Sequence, residues 1–150
     1  MKSKMSLLNM GAVLALLIAT SVSSAWAQQV RLEARKNKVI NGVEAELRGD
    51  YREKAGPSRL NAELENINVP VGTKVAFCML QSGAKTLIGV GHVAIVGGVP
   101  KAEIELSAND GDSVPKVTAG DVLQARQKKA APFNTNPTCS APLLVSAIFQ

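Results

Sequence analysis

The sequence predicts an all-β fold, an antiparallel β-sandwich of the immunoglobulin-like or a related kind with about seven or eight strands. Three observations predict it. Apolar and polar residues alternate with a period of two through much of the chain, turn residues separate these runs at short intervals, and the 150 residues, 46% of them hydrophobic, match one ordinary domain.

Ahead of the strands stands a leader. Lys2 and Lys4 form a positive start, Met10 to Ile18 an apolar stretch of about nine residues, and Ala25-Trp26-Ala27 a small-x-small cleavage site. That stretch is too short to cross the roughly 30 Å hydrocarbon core, so residues 1–27 read as a cleaved signal peptide and 28–150 as a single exported domain. No later apolar run reaches about 18 residues, and no transmembrane span is expected in the mature form. Without the leader, 15 basic residues face 12 acidic ones, a net charge of +3 over 123 residues.

The first two strands are the clearest. Val30, Leu32 and Ala34 alternate with Arg31, Glu33 and Arg35; Val43, Ala45 and Leu47 alternate with Glu44, Glu46 and Arg48; and Asn41-Gly42 between them is a two-residue hairpin motif. Residues 58–67 admit two readings. Leu60, Leu64 and Ile67 sit at helical spacing behind Ser58 as an N-cap, while Leu60, Ala62 and Leu64 alternate with Asn61, Glu63 and Glu65. The strand is preferred, with a bulge at Asn66. Val75 to Leu80 and Leu87 to Val96 are apolar on both parities, which suits a strand covered on both faces or one that bends between layers. After Gly97, Gly98 and Pro100, a further strand alternates Ala102, Ile104 and Leu106 with Glu103 and Glu105. Residues 121–131 again read as strand in preference to a capped helix, 130–142 as a loop containing three prolines, and Leu143 to Phe149 as a last apolar strand. That strand either completes its own sheet, the simpler outcome, or pairs with another subunit.

Composition narrows the chemistry. In an exported chain Cys78 and Cys139 most economically form one disulfide, 61 residues apart, worth about 4 kcal/mol in the chain-entropy model. One His and two Cys exclude zinc or haem sites that need several such ligands. With Trp26 in the leader, the mature domain holds only Tyr51, Phe77, Phe133 and Phe149, too few for a stacking platform for sugars or single-stranded nucleic acid. Arg35, Lys36, Lys38, Arg48, Arg52, Lys54 and Arg59 make the N-terminal part basic, but interspersed acids give the mixture usual for solvated strand faces.

Each candidate for specific chemistry has a structural alternative. Gly89 to Ala94 matches G-x-G-x-x-A, the dinucleotide fingerprint, yet Gly97, Gly98 and Pro100 follow too soon for the helix that motif needs. Glycines in a bent or closely packed strand are the better reading. His92, the only imidazole, has apolar neighbours; a triad with Ser82 or Ser113 and Asp112 is conceivable in composition and unsupported by spacing. Asn109, Asp110 and Asp112 gather oxygens around a tight turn, the raw material of a calcium site with Asp121 as an added ligand, although the EF-hand spacing is missing and a solvated turn is favoured.

The runs RLNAELENINVPVGTKVAFCML (59–80) and AEIELSANDGDSVPKVTAGDVLQAR (102–126), with the terminal LLVSAIF, carry a VPxGT turn and a DGxxVPxVxxGD stretch. Over roughly residues 39–149 the chain resembles a group of small exported bacterial β-sandwich proteins of unknown function. The resemblance implies the fold and the export, and brings no site residues.

The functional expectation is an exported, non-catalytic binding or assembly module of the cell envelope or extracellular space, secreted or periplasmic. Its partner would be a protein or an envelope polymer, with no nucleic acid and no cofactor. The alternatives are a calcium-dependent adhesion module and a small hydrolase using His92.

Overall fold

The computed structural model describes residues 29–129, 131–133 and 135–150. The expected leader and cleavage site, residues 1–27, lie outside the described residues. Nine strands form two antiparallel sheets: β1 (Val30–Ile40), β2 (Val43–Glu53), β3 (Ser58–Glu65), β4 (Lys74–Gln81), β5 (Ala84–His92), β6 (Ala94–Val96), β7 (Val99–Ser107), β8 (Val122–Arg126) and β9 (Leu143–Ile148). The first sheet runs β1-β2-β3-β7-β6 and the second β5-β4-β8-β9. With β1 set aside as an added edge strand, the order matches the A-B-E-D and C′-C-F-G sheets of an immunoglobulin Greek key.

The β1–β2 hairpin turns where expected. Asn41 and Gly42 take φ of 50° and 79°, the paired positive values of a type I′ turn. Both ambiguous segments, 58–67 and 121–131, contain strands, not helices, because their inward residues at period two reach a shared core: Leu60, Ala62 and Leu64 on β3, Leu123 and Ala125 on β8. Asn66 is not a bulge inside a strand, however. β3 stops at Glu65, and Asn66 (φ 56°) turns the chain, donating from its amide side chain to the Glu44 carbonyl at 2.7 Å, so that Ile67 re-enters the core.

The two doubly apolar runs have different explanations. Leu87–Val96 is one strand in sequence and two in space. It breaks at buried Val93, whose amide donates to the Thr73 carbonyl at 2.8 Å, and passes from the second sheet into the first, which accounts for nine strands instead of eight. The glycines make this corner possible: a Cβ on Gly91 would lie 2.8 Å from the Glu103 backbone oxygen, and one on Gly89 would lie 2.9 Å from Ile104 Cδ1. In β4, Val75, Phe77 and Met79 enter the core between the sheets, whereas Ala76 and Cys78 face outward and are nonetheless buried. The loop between β8 and β9 covers them, fastened by a Cys78–Cys139 disulfide with Cα atoms 5.9 Å apart.

The opposite edge of the sandwich is closed by the chain end. β9 pairs with β8, then Phe149 bridges to Ala34, and Gln150 and Glu33 exchange two backbone hydrogen bonds of 2.9 and 3.1 Å. The apolar C-terminal strand thus completes its own sheet and seals it to β1. Among the described residues no helix is long and apolar enough to cross a membrane.

Candidate functional site

The predicted site residues do not converge. His92 ends β5 and is exposed, opposite Lys74 on β4, while Ser82 lies in the turn before the other end of β5, roughly 30 Å of extended chain away. Asp112 and Ser113 border a depression with Thr86 and Leu87, about 16 Å of strand from His92. The triad constellation is therefore not assembled.

The acidic turn is spent on backbone geometry. Asn109 and Asp110 lie in a short 3-10 turn, Ala108–Asp110, and the Asp112 carboxylate accepts the Ser107 amide at 3.0 Å. Asp121 does not join them. Its Oδ2 accepts from Gln81 Nε2 at 2.7 Å, the Thr118 amide at 2.8 Å and Thr118 Oγ1 at 3.1 Å. Burial pushes its pKa up, but these three hydrogen bonds outweigh it and hold the carboxyl below the usual aspartate range. Among the described residues no group of three or more His, Cys, Asp or Glu side chains is arranged to hold a metal ion.

What the fold does assemble is a separation of charge. Glu33 on β1, Glu44, Glu46, Asp50 and Glu53 on β2, Glu63 and Glu65 on β3, and Glu103 and Glu105 on β7 are nine of the twelve acidic residues, all in the first sheet. Facing them are Arg31, Arg35, Arg48, Arg52, Arg59 and Lys101, and every one is ion-paired, as in Arg31–Glu33 at 2.7 Å and Lys101–Glu103 at 2.7 Å. Glu46 is held below the ordinary range, chiefly by its hydrogen bond to Arg35. Lys36 and Lys38, towards the end of β1, stand outside these ion pairs; the rest of that face is neutralised from within.

The second sheet and its covering loop carry no acidic residue at all. From Val122 to Gln150 the chain has Arg126, Lys128 and Lys129 and not one Asp or Glu. Arg126, on the outer face of β8, is buried under the loop. Its Nε and one terminal nitrogen donate to Gln124 Oε1 at 3.0 and 2.8 Å, and the other donates to the Ala141 carbonyl at 2.7 Å. Its hydrogen bonds have neutral acceptors, and among the described residues no carboxylate lies within 4.0 Å of it, of Lys74, of Lys128 or of Lys129.

Next to the Ala141 carbonyl that Arg126 binds, the loop forms an open cleft of about 460 Å³, lined by Lys128, Lys129, Asn136, Thr138, Ser140, Ala141 and Pro142. Its walls are fixed. Lys74 donates to Asn136 Oδ1 at 2.8 Å, the Gln127 amide to the Pro142 carbonyl at 3.2 Å, and Cys139 is tied to β4. Sequence reasoning singles out none of Arg126, Lys128, Lys129, Thr138 and Ser140 as site residues. The available sign was the acid-free run to the C-terminus, which net charge averaged over the chain conceals.

Fold and cleft together define a disulfide-stapled antiparallel β-sandwich with one neutralised face and one cationic loop end. No family model, no curated protein and no solved structure matches the chain.

Proposed function

We propose that the protein is an exported, non-catalytic binding module whose partner is an anionic polymer or surface of the cell envelope, engaged through the β8–β9 loop. The observation that carries this reading is the charge separation: six of the eight cations on the strands of the first sheet have carboxylate partners, all but Lys36 and Lys38, whereas among the described residues none of Lys74, Lys85, Arg126, Lys128 and Lys129 on the second sheet and its loop has one. Unpaired cations on one surface attract polyanions over about a Debye length. The leader-like N-terminus and the disulfide support export, and the resemblance to small exported β-sandwich proteins agrees with it. The test is retention of the disulfide-intact protein on an immobilised polyanion across a salt gradient. The Lys128→Ala/Lys129→Ala double variant should elute well before the wild type, and Lys36→Ala/Lys54→Ala, which removes the same charge from elsewhere, only slightly before it. Equal shifts for both pairs would overturn the reading.

A further inference from the structure

We infer that the cleft of the β8–β9 loop is a subsite for the tetrahedral oxyanion of a phosphate ester; this rests on the reading of the protein as a binder of anionic partners and names the group recognised. The buried guanidinium supplies the first reason. Arg126 satisfies its hydrogen bonds with Gln124 Oε1 and the carbonyl of Ala141, a residue that lines the cleft, but neutral acceptors leave its positive charge uncompensated next to that cleft, and buried charges ordinarily have a counter-charge.

The donor set supplies the second. A planar carboxylate is best held by a guanidinium fork, and the Arg126 fork is already committed to protein acceptors. What remains at the rim are ammonium groups and hydroxyls, compact donors that can approach an anion from several sides. Lys129 has no hydrogen-bond partner among the described residues, and Lys128 uses one of its three donors on Thr135 Oγ1. Thr138 Oγ1 and Ser140 Oγ lie 2.7 Å apart and share one hydrogen bond, which uses only one of their two hydroxyl protons. A phosphate monoester, with close to two negative charges and three terminal oxygens, answers this arrangement on each side.

The geometry is also held in advance. Thr138 and Ser140 flank Cys139, which the disulfide fixes to β4, and the Ala141 amide closes a turn onto the Thr138 carbonyl at 3.0 Å. A rim fixed before binding loses little freedom when an anion arrives.

The disulfide-intact protein is titrated with phenyl phosphate at constant ionic strength, with acetate as the comparison, and followed by amide chemical shifts. Saturable shifts confined to residues 126–142 are expected. Lys128→Ala/Lys129→Ala should weaken binding at least tenfold, and Thr138→Val about threefold, with wild-type melting temperatures in both. A second arm measures co-sedimentation with vesicles containing phosphatidic acid, whose headgroup is a phosphate monoester, against phosphatidylcholine alone. Retention that the lysine pair abolishes supports the subsite with a lipid headgroup as source, and phenyl phosphate binding without retention supports it with a soluble ester as source. Retention on polyanions with equal, diffuse responses to phosphate and acetate overturns the subsite and leaves the broader binding function standing. Absence of both phosphate binding and polyanion retention overturns the two together.

Discussion

Gly91 and Asp121 show how much of this fold depends on single residues. The G-x-G of Gly89 to Gly91 exists because β5 presses onto β7 at a corner, where a Cβ on Gly91 would meet main-chain atoms of Glu103 at 2.8 and 2.9 Å. Backbone cannot move aside as a side chain can. Gly91→Ala should therefore cost about 2–3 kcal/mol by urea denaturation, and Gly89→Ala, whose obstacle is the mobile end of Ile104, clearly less. Equal costs would show that the corner is not backbone-limited. Asp121 and Glu46 set the acid limit. Their folded pKa values lie below the ordinary 3.8 and 4.5, so the stability they contribute is complete above those values and is lost as pH falls through the depressed folded ones. Asp121→Asn should lower the melting temperature at pH 7 and flatten its decline below about pH 4.5; a variant curve parallel to the wild type through that range would remove Asp121 from the account.

At the level of elements, period-two alternation made every strand of the first sheet except short β6 legible, and the Asn41-Gly42 turn identified the first hairpin. Where a strand serves two layers, the bend was legible as one of two alternatives, and its position was not. Leu87–Val96 reads as continuous because its residues are apolar throughout, and only the corner at Val93, formed by hydrogen bonds to residues distant in sequence, divides it. The same limit hid the cleft: Arg126 and Lys128 are ordinary in sequence, and their meaning comes from a loop folded back over β4. That loop yields a prediction of its own. Replacing Cys78 and Cys139 together with Ala removes a 61-residue closure and should cost about 3–4 kcal/mol. Hydrogen exchange should then accelerate first in residues 127–142, ahead of β4. If the loop stays protected while the whole domain loosens evenly, the disulfide acts on the unfolded chain alone.

For the whole molecule, the neighbour order is close to a circuit. One side is joined by the β5–β6 strand that changes sheets at Val93, the other by Phe149 and Gln150 docking on β1. Sandwiches are exposed to edge-to-edge association, and these two seams cover much of what would otherwise be open edge. The ring of Phe149 is the filling of the second seam: it is fully buried, and Gly49 on β2 leaves room for it, since a Cβ there would come within 2.8 Å of Phe149 Cζ. Deleting Phe149 and Gln150 removes a buried aromatic and four backbone hydrogen bonds, two with Glu33 and one each with Gly120 and Asp121, while uncovering backbone groups of β1 around Glu33. The loss should be about 3–5 kcal/mol, the cost of a buried Phe truncation, and the exposed edge should find a partner in a second copy. Light scattering on the truncated chain at rising concentration is expected to show self-association beyond that of the full-length protein. Phe149→Ala, which keeps the backbone bridge, should share the loss of stability with much less of the association. If both variants associate alike, cavity formation and general loosening explain the behaviour, and closure of the edge does not.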